Sequence, residues 1–118
     1  MAIKILICDD QSLFREALRT LLSAFPDLEV VGEASNGEEA LRSTLTLSPD
    51  IVLMDLRMPI MDGVEATAAI HKQHPEIKIM ILTIFDDDEL AFNALSNGAS
   101  GYVLKNVDPS DLVLSIEA

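Results

Sequence analysis

The feature that most constrains this chain is a regular alternation of two kinds of segment. Short apolar, β-branched runs lie at Ile3 to Cys8, Leu28 to Ala34, Ile51 to Met54, Ile77 to Thr83 and Gly101 to Leu104. Longer stretches between them repeat their apolar residues at helical spacing. Strands separated by helices run parallel, with right-handed crossovers. The pattern therefore predicts an α/β protein with a doubly wound, five-stranded parallel sheet and helices on both faces. The first, third and fourth runs are almost continuously apolar and suit the middle of the sheet, whereas "LEVVGEA" and "GYVL" are more polar or shorter and suit its edges. That favours a flavodoxin-like order, 2-1-3-4-5.

Helix signals agree. Leu13, Phe14, Ala17, Leu18, Leu21, Leu22 and Phe25 are predicted to share one face of a first helix capped by Ser12 and ended by Pro26. A second helix begins near Asn36 with Ala40, Leu41, Thr44 and Leu45 on one stripe, and a third, less strongly patterned, follows Asp62 and Gly63. The fourth opens on the acidic run Asp86 to Glu89, which suits the positive end of a helix dipole, and stops at Gly98. Asp108 caps a fifth with Pro109 at its first position. That helix has an apolar face (Leu112, Val113, Ile116) but no stop signal before Ala118, so residues 1–118 are expected to be one domain of a longer protein.

Every strand of a parallel sheet delivers its C-terminal end to one edge, where ligands bind. The residues there are Asp9 and Asp10 after the first strand, Asp55 after the third, Thr83 ending the fourth and Lys105 after the fifth. In the predicted order the first and third strands are neighbours, which crowds the three acids. Two carboxylates about 4 Å apart repel by about 4 kcal/mol at an effective dielectric of about 20. Such a cluster shifts its protons or holds a cation, and a purely oxygen donor set selects a hard one, Mg²⁺. A metal beside a carboxylate, a hydroxyl and an ammonium suits a phosphoryl group, with Asp55 as nucleophile, Lys105 neutralising charge and Thr83 donating a hydrogen bond. Taken singly, each residue has an ordinary role as turn former, strand residue or solvated lysine. Their joint placement at one edge favours the chemistry.

Composition narrows the alternatives. Eight basic against 20 acidic residues give a formal charge of −12, which repels nucleic acid. The single cysteine, Cys8, excludes a disulfide framework within the chain, fits a reducing cytoplasm and is expected in the core. No apolar stretch approaches a membrane span or a signal sequence. His71 and His74, near the end of the third helix, are expected at the surface, where they suit the helix dipole.

The motifs "CDD", "LMDLRMPIMDG", "LT" and "GASGYVLK", in that order over essentially the whole chain, resemble the receiver domain of two-component response regulators. The last motif is similar to the LuxR-like (NarL and FixJ type) branch, whose members usually carry a C-terminal helix-turn-helix DNA-binding domain. The resemblance implies that Asp55 is phosphorylated by a histidine kinase. It also implies that Asp10, Asp55 and the backbone carbonyl of Arg57 bind Mg²⁺, with Asp9 acting through water. Thr83 is to move toward the phosphoryl group, Lys105 to pair with it, and Tyr102 to rotate inward as the switch aromatic. The output surface is then the fourth helix, fifth strand and fifth helix, or the first and fifth helices, with homodimerisation on phosphorylation.

Three departures stand out. Ile84 follows the hydroxyl where the family has a small residue, and is expected to narrow the approach; Asn106 follows the lysine where many members have a cis proline; Arg57 and Phe85 occupy positions that tune phosphate lifetime. Two other readings compete. An aspartyl phosphatase of haloacid dehalogenase type needs a second acid at Arg57, and a nucleotide or flavin binder needs glycines that "CDDQSLF" lacks.

Overall fold

The computed structural model describes residues 2–118. The strands are β1 (Ile3–Cys8), β2 (Leu28–Ala34), β3 (Ile51–Met54), β4 (Lys78–Thr83) and β5 (Gly101–Leu104). The helices are α1 (Ser12–Ser23), α2 (Gly37–Leu47), α3 (Gly63–Gln73), α4 (Asp88–Ser96) and α5 (Pro109–Glu117). All strand pairs are parallel and the order is β2-β1-β3-β4-β5, as expected. Only β4 begins a residue later than its apolar run, because Ile77 is buried in the preceding turn.

Continuously apolar strands are explained by the two layers they serve. Ile5, Ile7, Leu53 and Leu82 point toward Leu18 and Leu22 of α1 and Leu112, Val113 and Ile116 of α5. Their neighbours Leu6, Cys8, Val52, Met54, Ile79 and Ile81 point to the other face, toward Ala40, Ala66, Ile70 and Ala94 of α2, α3 and α4. Alternation along a strand thus feeds both cores, which keeps the middle of each central strand apolar on both faces. Burial also pushes the Cys8 thiol well above its usual range, which leaves it un-ionised packing.

Four helix starts follow their sequence signals. Asn36 accepts a hydrogen bond from the Glu39 N–H, and Asp62 forms a reciprocal box with Glu65. Asp87 caps α4, and Asp108 caps α5 ahead of Pro109. The first start is different. Ser12 is already the first helical residue, and the N-cap is Gln11, whose side chain makes no capping bond. The Gln11 N–H is instead bound by the Asp9 carboxylate at 2.8 Å, a turn that starts the helix one residue early.

Two apolar stripes are narrower than expected. Leu13 is 81% exposed and Ala17 is also exposed, so α1 packs through Phe14, Leu18, Leu21, Leu22 and Phe25. Leu45 is 60% exposed, and Leu47 takes its place over Gly32, where a Cβ would lie 2.5 Å from the Leu47 side chain. His71 is exposed, while His74 is half-buried with Nδ1 3.6 Å from Glu76. Among the described residues no peptide bond is cis, so the Lys105–Asn106 bond is trans.

One glycine bears directly on the site. The Gly63 N–H donates to the Leu56 carbonyl at 2.8 Å, and a Cβ on Gly63 would fall 2.0 Å from the Asp55 carbonyl oxygen. Nothing larger than hydrogen fits between α3 and the end of β3. Gly63→Ala is expected to lower stability by about 1–3 kcal/mol or more, read from urea unfolding, since the obstructing atoms are backbone and cannot swing aside.

Candidate functional site

Register places the acids. Cys8 of β1 pairs with Met54 of β3, so the next residues, Asp9 and Asp55, leave the sheet side by side. The Asp9 N–H reaches the Ala34 carbonyl at 3.0 Å and the Asp55 N–H reaches the Cys8 carbonyl at 2.9 Å. Both carboxylates are therefore held by backbone pairing and are buried, at 1% and 7% exposure. Asp10 is exposed at the rim. One carboxylate oxygen from each of Asp9, Asp10 and Asp55 lies within 4.8 Å of the other two.

Lys105 enters from the other side. Its N–H donates to the Thr83 carbonyl at 2.7 Å, continuing the β4–β5 ladder, and its stem carries Nζ 4.3 Å above the Phe14 ring. Nζ lies 2.6 Å from Asp9 Oδ2 and 3.4 Å from Asp55 Oδ2. The shorter contact pairs the buried Asp9 Oδ2 with the ammonium. Asp55 Oδ1 accepts from the Leu56 N–H at 2.9 Å, so Oδ2 is the oxygen turned to the open side.

The electrostatics follow from this crowding. Burial first, then the Asp9 charge, raise the Asp55 pKa from 3.8 to about 6, against the opposing pull of Lys105 and the Leu56 N–H. Three converging carboxylates, two of them buried and sharing a single ammonium, are the arrangement a hard divalent cation satisfies, and the residues present fit Mg²⁺.

The remaining expected residues are linked to one another through Phe85, just after β4. Thr83 is fully buried, and its hydroxyl accepts from the Phe85 N–H at 3.3 Å. The Tyr102 hydroxyl donates to the Phe85 carbonyl. Burial, then Asp87 and Asp86, raise the Tyr102 pKa. The Arg57 guanidinium stacks 4.4 Å over the Phe85 ring and forms no ion pair among the described residues. Ile84, the first residue after β4, is 71% exposed. Sequence reasoning missed Phe14, under Lys105, and Arg15, whose Nη1 donates to the Asp9 carbonyl at 2.6 Å.

The 2-1-3-4-5 sheet thus carries three acids and a lysine at its switch point. Residues 5–117 match the response regulator receiver domain model, and the chain belongs to that family. It is 46% identical over 114 residues to the transcriptional regulatory protein LnrK of Bacillus subtilis, covering 97% of this chain and 52% of that protein. It is 45% identical over 112 residues to the response regulator protein VraR of Staphylococcus epidermidis, covering 95% of this chain and 54% of that one. The chain thus spans about half the length of these relatives.

Solved structures agree. A LuxR-family two-component response regulator from Aurantimonas superposes with a TM-score of 0.94 at 39% identity, covering 99% of this chain and 84% of that one. The receiver domain of the putative response regulator NarL from Mycobacterium tuberculosis also gives 0.94, at 32% identity, covering 98% and 94%. No helix among the described residues is long and apolar enough to cross a membrane.

The raised Asp55 pKa has a measurable sign. A folded value above the unfolded one means that ionising Asp55 costs stability, so the metal-free domain loses stability as pH rises from about 4 to about 6. Asp55→Asn removes that loss. Urea unfolding in EDTA at pH 7 is expected to show the variant more stable by about 1–2 kcal/mol, with the difference vanishing below about pH 4.

Proposed function

We propose that this domain is the phosphoacceptor switch of a two-component pathway, with Asp55 as the acceptor. The observation that carries this reading is the buried Asp55 carboxylate with one oxygen tied to Leu56 and the other turned toward Lys105, beside Asp9 and Asp10. Asp55 Oδ2 attacks the phosphorus of a phosphohistidine on a histidine kinase. The new O–P bond forms as the N–P bond breaks, and the leaving imidazole nitrogen keeps the electron pair.

Asp10, Asp55 and the Arg57 carbonyl would hold Mg²⁺ directly and Asp9 through water. When bound, the ion supplies positive charge that keeps Asp55 ionised and offsets the incoming phosphoryl oxygens. Lys105, already facing Asp55 Oδ2, pairs with one of those oxygens, and its attachment to the Thr83 carbonyl keeps it in place. The Thr83 hydroxyl turns toward another and so leaves the Phe85 N–H. Because the Phe85 carbonyl holds the Tyr102 hydroxyl, that movement reaches β5 through one residue's backbone. The affected surface is α4, β5 and α5, or α1 with α5, and its change drives homodimerisation.

Residues 1–118 act in this reading as the single receiver unit of a longer cytoplasmic protein with a C-terminal DNA-binding domain. Support comes from the relatives, which are about twice as long and include one called a transcriptional regulatory protein. A DNA-binding response regulator of the LuxR family from Staphylococcus aureus also superposes, with a TM-score of 0.91 at 32% identity. The domain catalyses only its own phosphorylation and dephosphorylation. The phosphatase alternative loses its ground, because the position of its second acid holds Arg57, stacked on Phe85.

Intact mass spectrometry after incubation with acetyl phosphate and Mg²⁺ is expected to show one phosphoryl group on the wild-type chain and none on Asp55→Asn. Lys105→Ala should take up far less in the same time. Equal labelling of wild type and Asp55→Asn would sink the assignment, and steady multiple turnover of a phosphate ester would restore the phosphatase.

A further inference from the structure

The expected site residues leave unexplained what aims the turn that carries Asp9 and Asp10. Both sit on the link between β1 and α1, and Asp10 lies in open solvent. Each is charged and each repels the other and Asp55. A turn loaded in this way spreads unless something holds it.

Asp9 holds its own end through the Ala34 carbonyl and the Gln11 N–H, and a further hold on the Asp9–Asp10 peptide comes from outside the cluster. Arg15 and Arg19 stand one turn apart on α1, so their side chains leave the same face. Glu33 on β2 receives both: Arg15 Nε lies 3.0 Å from one carboxylate oxygen, and Arg19 Nε lies 2.7 Å from the other. With Nε engaged, Arg15 Nη1 donates to the carbonyl of the peptide joining Asp9 to Asp10, at 2.6 Å. The Arg15 side chain is only 18% exposed. The Arg19 and Arg15 guanidinium groups keep the Glu33 carboxyl below its usual range against a partial loss of solvation, so it stays a charged anchor.

Glu33 reaches α1 through an irregularity in the sheet. Ile5 pairs with Val30, but the next residue, Leu6, pairs with Gly32, so Val31 is an extra residue in β2. Leu28 and Val30 face the α1 layer, and strict alternation from them would carry Glu33 to the opposite face. The extra residue reverses the phase. Glu33 then pairs with Ile7 and shares its α1-side face.

We propose that Arg15, clamped by Glu33, is a positioning residue for divalent-cation binding: it fixes the Asp9–Asp10 peptide so that the two carboxylates converge with Asp55. This inference rests on the reading of the acidic cluster as a Mg²⁺ site. Charge and position make opposite demands on Arg15. Its positive charge alone repels a cation, so truncation acting through charge would tighten binding. Truncation acting through the lost peptide contact weakens it.

Isothermal titration of Mg²⁺ into the EDTA-treated, dialysed chain tests this at fixed pH and ionic strength, with urea midpoints confirming folded variants. Arg15→Ala is expected to raise Kd about tenfold, the scale on which outer partners of metal ligands act. Glu33→Gln should raise it less, and Arg19→Gln, which loses Glu33 but not the turn, should leave it unchanged. The amide resonances of Asp10 and Gln11 should shift in Arg15→Ala and not in Arg19→Gln. A Kd that is unchanged or lower in folded Arg15→Ala overturns the clamp. Should that variant not fold, an unchanged Kd in Glu33→Gln does so. Wild type that takes up no Mg²⁺ overturns the cation reading, and the clamp with it.

Discussion

The repulsion among three carboxylates at one sheet edge is the constraint around which the rest of this domain is organised. The β1–β3 register puts Asp9 and Asp55 side by side, and the turn after β1 adds Asp10. At an effective dielectric of about 20 each close pair costs on the order of 4 kcal/mol, a large part of the stability of a small domain. Backbone pairing holds Asp9 and Asp55 against that force, Lys105 neutralises part of it, and the proton affinity of Asp55 absorbs more. What remains is a stored demand for positive charge. A bound cation would meet that demand directly, and in the proposed reading phosphorylation of Asp55 acts on it too.

Much of this was legible in the residues because hydrophobic period and strand-end identity are local signals. Ile51 to Met54 announce a strand buried on both faces, and the acid ending it stands out against four apolar neighbours. The caps at Asn36, Asp62, Asp87 and Asp108 follow from side chains that can bind their own backbone. Strand order followed from which runs could tolerate an edge.

The misses share a different physical origin: each depends on a contact or on packing that the residue's own type and spacing do not reveal. Ser12 has the chemistry of a cap, but the Asp9 carboxylate takes the Gln11 N–H first and moves the helix start. Leu13 and Leu45 belong to helical stripes by spacing, yet both are left exposed. Glu33 reads as a solvent-facing edge residue until the extra residue in β2 turns it toward α1, so the arginines opposite it read as an ordinary charged face. Nothing in a one-dimensional pattern marks a phase reversal of one residue in the middle of a strand.

Phe85 separates two kinds of information on one residue. Its main chain accepts the Tyr102 hydroxyl and supplies the N–H held by Thr83, while its ring lies under the Arg57 guanidinium. Substituting the side chain changes what lies under Arg57 but keeps both main-chain bonds. If the proposed switch runs through Phe85, it runs through a peptide group that side-chain replacement does not touch. A junction of that kind is visible only to changes that alter the peptide group itself, such as proline or an ester in place of the amide.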